Sequence, residues 1–378
     1  MNRRDFVLAL GSLTAMELQA AQALGMGAGA ASNATPLFPP VLPGRTLVFP
    51  SDHGAHPDFR TEWWYATGWL RMPDGSPLGF QTTFFRVRTG LAEASASAFA
   101  PRQLVLAHAA LADPALGHLR HDQRSARVGF GRAGFEATST SGNDAQVWVR
   151  DWHLALQAGV YHAVVHSNTF AYALNLVPAG PPVLHGRAGF SAKAPDPIHA
   201  SYYYSRPQLL VGGSVTLAGR THAVTGQAWL DHEWSSELLP PGAQGWDWIG
   251  INLDDDSALM AFRLRGQPGA PSPSLWSAAT MAQPMGTTQT FGPEAVAFEP
   301  LAHWQSPRTG ISYPVRWRLR VGPRVFTLQA LMPDQELDSR LSTGAIYWEG
   351  AVSLLEAGQE VGRGYLEMTG YGEKIRIG

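Results

Sequence analysis

Cysteine is absent from the 378-residue sequence. The chain therefore has no disulfide, thiolate nucleophile, lipoprotein acyl anchor, cysteine-ligated zinc site or iron–sulfur cluster. Charge is scarce as well. Asp, Glu, Lys and Arg make up 15% of residues, against roughly 25% in an average soluble protein. Neither sign dominates, with 28 Lys+Arg against 30 Asp+Glu. The basic footprint of a nucleic-acid binder is missing, and no nucleic-acid partner is expected. A transmembrane helix wants about 20 consecutive apolar residues. Phe6 to Leu24 is only mildly apolar and carries Glu17 and Gln19. The motifs G-x-S-x-G, H-E-x-x-H, Walker A and the dinucleotide fingerprint are also absent.

Turn formers and aromatic rings are abundant. The 40 Gly and 28 Pro suit a chain with many turns, and 13 Trp, 10 Tyr and 16 Phe suit an aromatic interior or cavity. At about 150 residues per domain the length suggests two domains. The N-terminus reads as an address. Arg3-Arg4 followed by Phe6 resembles a twin-arginine export signal, and Ala28-Gly29-Ala30 has the small-x-small shape of a cleavage site. Residues 1–31 are expected to be a signal peptide, and the protein to be periplasmic or secreted. Residues 32–50, with Pro36, Pro39, Pro40 and Pro43, read as an extended lead-in.

Beyond the lead-in, period-2 alternation dominates. Val315, Trp317, Leu319 and Val321 alternate with Arg316, Arg318 and Arg320. Phe170, Tyr172, Leu174 and Leu176 alternate likewise, as do Trp152, Leu154 and Leu156. Turn chemistry punctuates the runs at Asp74-Gly75, Ser141-Gly142-Asn143-Asp144, Ala218-Gly219 and Gly322-Pro323. An internal echo points to two similar units. Trp64 to Arg88 and Trp248 to Arg265 both start at a Trp, pass an Asp-containing turn and end in Phe-Arg-apolar-Arg. A weaker hairpin pairs Tyr347–Val352 with Gly364–Met368. Hairpins without helices predict an all-β fold, and closure into barrels removes exposed edges. The expected units are residues 51–205 and 206–378, divided near Arg206-Pro207.

Three clusters carry candidate chemistry. The densest, Trp229 to Trp248, holds Asp231, His232, Glu233, Trp234, Trp246, Asp247 and Trp248. On a strand, His232 and Trp234 share one face and Asp231 and Glu233 the other. A carboxyl in such an aromatic pocket would have a raised pKa and suit general acid catalysis. The same residues equally suit a barrel end plugged by tryptophans. The second cluster, His53 to Tyr65, includes His56, Glu62, Trp63, Trp64 and Tyr65. Its spacing matches no specific metal site, and no metal is expected. The third, Ser201 to Pro207, carries Tyr202, Tyr203 and Tyr204, which suit either a ligand mouth or a junction between domains.

These residues resemble the AttH-like family, which includes the carotenoid 1,2-hydratase (CrtC-like) proteins. The matching words are Glu62-Trp63-Trp64-Tyr65 with Thr67-Gly68-Trp69-Leu70, Tyr203-Tyr204-Ser205, Trp229-x-Asp231-His232-Glu233-Trp234 and Gly245-Trp246-Asp247-Trp248. Leu259-Met260, Tyr347-Trp348-Glu349-Gly350 and Gly364-Tyr365-Leu366-Glu367 complete the series. The resemblance implies two tandem lipocalin-like antiparallel β-barrels. It also implies cofactor-free chemistry: carotenoid hydratases add water to an alkene, and fungal relatives catalyse pericyclic ring closure. The hydratase His-x-Trp pair carries over onto His232 and Trp234. Its Tyr-x-Asp pair has no clean counterpart, since Asp247 is flanked by tryptophans and Asp254 has no Tyr two positions before it.

Three functions follow as expectations. The first is an exported binder of a hydrophobic or amphipathic small molecule near the barrel interface. Glu62, Trp63, Trp64, Tyr65, Tyr203, Trp246 and Trp248 would line it. The second is a cofactor-independent hydratase, isomerase or pericyclase. In the hydratase, Asp231 or Asp247 is the acid, His232 the base, and Trp234 and Trp248 shelter a cation. The third is a structural envelope protein with a plugged cavity. Peripheral contact with a membrane is compatible with all three, and no cofactor is expected.

Overall fold

The computed structural model describes residues 37–137, 145–267, 274–284 and 286–374. Residues 1–31, expected from the sequence to be a signal peptide, and the expected turn Ser141-Gly142-Asn143-Asp144 lie outside the described residues. Residues 38–50 form no regular element, and Leu91–Ala96 is loop. Among the described residues there is no α-helix, only strands and two single-turn 3-10 helices, Ser51–His53 and Pro293–Ala295.

The strands make two antiparallel sheets. The first holds β1 (Thr61–Arg71), β2 (Pro77–Arg88), β3 (Gln103–Asp113), β4 (His118–Arg127), β5 (Ala133–Phe135), β6 (Ala145–Val149), β7 (Trp152–Gln157), β8 (Val160–His166), β9 (Phe170–Val177), β10 (Val183–Leu184), β11 (Phe190–Ala192), β12 (Ala200–Leu217) and β13 (Arg220–Ser235). The second holds β14 (Gly245–Leu253), β15 (Ala258–Arg265), β16 (Ser274–Ala282), β17 (Thr288–Phe291), β18 (Val296–Gln305), β19 (Ser312–Val321), β20 (Arg324–Ala330), β21 (Glu336–Asp338), β22 (Ile346–Glu356) and β23 (Gln359–Met368). Each sheet curls until its edges approach, β3 and β4 against β5 and β6 in one, β16 against β18 in the other. The architecture is two tandem lipocalin-like barrels, each around its own apolar core.

Local chemistry explains the strands and their turns. In β19, Trp317, Leu319 and Val321 are buried while Arg316 and Arg318 are exposed. That pattern fits a sheet with one packed and one solvated face. The echoed segments are the hairpins β1–β2 and β14–β15, and the weaker one is β22–β23. The β12–β13 turn places both Ala218 and Gly219 at positive φ, 48° and 76°. That is the left-handed pair a tight two-residue hairpin demands.

The divide between units moves from where the sequence suggested it. Arg206-Pro207 falls inside β12, at a bulge between Arg206 and Leu209. Proline lacks the N–H a ladder needs, so it is tolerated where the ladder breaks. Beyond the bulge β12 continues in the first sheet and turns into β13, and the chain passes to the second sheet through residues 236–244. Gln208, at the bulge with φ 54°, is turned toward the second barrel. Its backbone N–H bonds Asn252 Oδ1 at 2.9 Å, and its amide bonds the carbonyls of Leu253 and Ser257.

Candidate functional site

The sheet register splits the expected acid–base quartet. On β13, His232 and Trp234 stand opposite Trp64 and Glu62 of β1, and beside Tyr204 and Tyr202 of β12. These side chains belong to the first barrel's interior and its capped end. Asp231 and Glu233 emerge on the other face of the same strand and meet the second barrel. Asp247 is elsewhere again. It is buried within the second barrel, accepting from Arg263 Nε at 2.6 Å and from the Tyr371 hydroxyl at 2.8 Å. Asp231, His232, Trp234 and Asp247 therefore do not form one constellation.

Inside the first barrel Glu62 is fully buried and fully engaged. It accepts from the backbone N–H of His56, from His56 Nδ1 at 2.8 Å, from His232 Nε2 at 2.8 Å and from Arg86 Nε at 2.9 Å. The buried Arg86 spends its other donors on the carbonyls of His56 and Phe59 and on Gln103. His56 Nε2 meets Asp52 at 3.0 Å and the imidazole stacks on Trp234 at 3.7 Å. With His232 Nε2 donating to Glu62, its Nδ1 accepts from the Tyr204 hydroxyl, which in turn accepts from His53. Burial alone would raise the Glu62 pKa, but Arg86 and His56 outweigh it and hold the carboxyl well below its ordinary range. Burial would likewise lower His56, yet Glu62 and Asp52 raise it. Donor atoms of His56, Glu62 and His232 lie within 4.8 Å of one another. They satisfy one another in a balanced network, with Arg86 already on the carboxylate.

A second polar cluster lies between the barrels, in an apolar layer with Tyr65, Tyr203, Trp229, Trp248, Phe262 and Tyr365. Asp231 accepts from the Tyr203 hydroxyl at 2.8 Å, from Trp229 Nε1 at 2.6 Å and from Ser205. Tyr203 also accepts from Trp248 Nε1 at 2.9 Å, which ties β12 to β14 across the layer. Burial pushes the Asp231 pKa up to about 7. Glu233 pairs with the buried Lys193 at 2.9 Å. From the second sheet come Glu349 and Glu367, directly opposed across β22 and β23. Like charges directly opposite are unfavourable, and burial adds to the cost. Burial and Glu367 hold the Glu349 pKa well above the ordinary carboxyl range. Burial, with Asp231 and Glu233 adding, pushes Glu367 up to about 8. The buried Tyr365 hydroxyl makes no hydrogen bond. Such groups are rare in folded proteins and each costs about 1–3 kcal/mol. Trp63, Trp246 and Glu367 keep partial exposure, so the layer opens at this edge.

Of the residues expected to line a ligand, Trp63, Tyr65, Tyr203, Trp246 and Trp248 gather in this layer. Glu62 and Trp64 face into the first barrel instead. The tyrosine run serves both sides: Tyr203 joins the barrels, while Tyr202 and Tyr204 pack around Trp234. Glu349, Glu367 and Lys193 were not singled out as site residues. A signal for Glu349 was present, since Tyr-Trp-Glu-Gly-Ala-Val sets a carboxyl among residues that read as buried on both faces, where a charge is rare. Its partner Glu367 lies in the Gly364–Met368 strand of the hairpin read from the sequence, whereas the burial of Lys193 leaves no such trace.

The fold and these buried clusters define a tandem lipocalin-like protein with an inter-barrel polar layer. The AttH-like family model matches residues 40–371, and the chain belongs to the AttH-like family. An AttH-like protein from Nitrosomonas europaea of solved structure is 48% identical, covering 88% of this chain and all of that one, with a TM-score of 0.81. Kievitone hydratase from Nectria haematococca shares the fold at 14% identity, covering 88% of this chain and 98% of that one, with a TM-score of 0.63. CghA, solved with Sch210972, is similar at 14% identity over 82% of this chain and 89% of its own, with a TM-score of 0.50. No curated protein matches the sequence.

Proposed function

We propose that the layer between the barrels binds a hydrophobic or amphipathic small molecule of lipid or isoprenoid type, and that its buried carboxyls give that molecule a proton. The carrying observation is the Glu349–Glu367 pair, directly opposed among aromatic side chains, where burial raises both pKa values. Apolar burial drives binding at about 25 cal/mol per Å². Trp63 and Trp246 stand at the open edge. A neutral carboxyl beside an alkene is a general acid, and aromatic faces stabilise the cation that forms. In a hydratase-type cycle, one Glu transfers its proton to an alkene carbon. Water then bonds to the resulting carbocation. The proton lost by that water returns to the carboxylate, so the net change is addition of one water with no cofactor. Likeness of fold to kievitone hydratase supports this class of chemistry as analogy. The Arg3-Arg4 pair supports export to the periplasm.

Native mass spectrometry of the protein from its own envelope fraction, with solvent extraction, tests the binding reading. One bound apolar molecule per chain is expected, with loss in Trp246→Ala. A protein that stays empty after exposure to lipid and isoprenoid extracts overturns it and favours a structural envelope role. Incubation with a linear isoprenoid alkene tests the proton. A product heavier by one water is expected. It should form at least about 100-fold more slowly in the double variant Glu349→Gln, Glu367→Gln, as removal of a general acid predicts. Unchanged turnover in that variant removes the acid assignment and leaves binding intact.

A further inference from the structure

Farther along β1 the two sheets part into a cleft of about 450 Å³. This is within the range of small-molecule sites. Trp69, on the same face of β1 as Tyr65, is four residues on, or about 13 Å at strand rise. The cleft is therefore displaced along β1 from the carboxyl layer, although Trp69 and Trp229 border both.

Its floor is bare backbone. A Cβ at Gly364 would stand 1.9 Å from the Gly250 carbonyl oxygen, and one at Gly226 would stand 2.0 Å from that of Trp69. Close backbone approach thus keeps side chains off the floor. One wall is the Trp69 indole, half-buried and fixed by its Nε1 donating to the Gly364 carbonyl at 3.0 Å. Leu210, 55% exposed, supplies an apolar edge. The charge at the rim is cationic. Arg363 lies 5.1 Å from the Trp69 ring centroid and shares Glu360. Arg71 has no ion pair among the described residues. Asp74, in the turn bordering the cleft, is held by Ser76. The second observation is Thr67. It is 1% exposed and lines the cleft, and its Oγ1 makes no hydrogen bond.

We propose that this cleft is a second binding site, for a planar organic anion such as an aromatic carboxylate or sulfonate. The ring stacks on Trp69 above the bare floor. The anionic group meets Arg71 and Arg363 at the rim. The Thr67 hydroxyl donates a hydrogen bond to an acceptor on the ligand. Arg71 and Thr67 are groups the fold leaves unpaired among the described residues, Arg363 adds a charge already paired with Glu360, and none depends on the proton chemistry of the carboxyl layer.

The probe is 8-anilinonaphthalene-1-sulfonate, with uncharged N-phenyl-1-naphthylamine as its control, in fluorescence titrations of the full chain. One sulfonate is expected per chain, with the neutral amine at least about tenfold weaker, since a paired charge of this kind is worth roughly 1.4 kcal/mol or more. Arg71→Glu should weaken the sulfonate at least about tenfold while leaving the amine unchanged, by the same charge argument. Thr67→Val should weaken it about fivefold, the value of one hydrogen bond. Equal affinities for dye and amine overturn the proposal, as does unchanged sulfonate binding in Arg71→Glu. Loss of the dye in Trp246→Ala, with Arg71→Glu unaffected, also overturns it by moving the dye to the carboxyl layer.

Discussion

The network inside the first barrel and the cluster between the barrels bury similar groups to opposite effect. Around Glu62 each acid faces a cation or a donor. The charge is kept because Arg86, His56 and His232 solvate it in place of water. Around Glu349 and Glu367 the acids face one another, and their partners are rings and hydroxyls. Protonation is the cheaper state there, because an unpaired buried charge costs several kcal/mol. Burial alone therefore does not decide whether a carboxyl's pKa is lowered or raised. The neighbours do, and burial raises the pKa of the pair that has no cation beside it.

The sharpest way to break this contrast is to remove one acid from each region. Glu62→Ala leaves Arg86 buried without its counter-charge, and denaturant titration should show a loss of about 3–5 kcal/mol. Glu349→Gln replaces a carboxyl whose raised pKa favours the neutral form and should cost less than about 1 kcal/mol at pH 7. Equal losses would mean that both acids are ionised.

The pH dependence separates the regions next. Asp231, Glu349 and Glu367 are raised in the fold, so the native state holds protons that the unfolded chain has already released. Stability then falls as pH rises, by about 1.4 kcal/mol per unit for each carboxyl still protonated, until the folded pKa is passed. Below pH 6.5 the slope is opposed. His53, His108, His185 and His232 are lowered by burial, and protonation of the unfolded chain draws stability away as pH falls. The window from 6.5 to 8 therefore isolates the carboxyls, with raised His56 contributing in the same direction. Chemical denaturation should show stability falling by a few kcal/mol across it, less steeply in Glu367→Gln. A flat profile in the parent protein would put charged carboxylates in the layer.

The smallest test compares two tyrosines. Tyr204 bonds His232 and His53, and Tyr204→Phe should cost about 1 kcal/mol. The buried Tyr365 hydroxyl bonds nothing, so Tyr365→Phe should cost no stability and should gain about 1 kcal/mol. A loss at Tyr365 would mean that its hydroxyl has a partner in solution.

Much of the fold was legible because it rests on short-range chemistry. Alternation at Trp317, Leu319 and Val321, turn residues at Ala218-Gly219 and the echo of Trp64–Arg88 in Trp248–Arg265 each concern residues near one another in the chain. The divide at Arg206-Pro207 misled because a proline reads as a break in sequence. In space it marks a bulge in a strand that continues. The site was legible in its ring residues and less so in its acids. Asp231 and His232 are neighbours in sequence, yet the pleat sends them to opposite faces and into different surroundings.

The sequence by itself determined the all-β class, the hairpins, the aromatic wealth and the family words, since periodicity and turn chemistry need no distant partner. Only the tertiary structure decided which acids are charged. Glu62 meets His232 from far along the chain, while Glu349 and Glu367 meet Tyr65 and Asp231 across two barrels. A carboxyl's pKa is set by the dielectric and charges within a few ångströms, and folding alone chooses those neighbours.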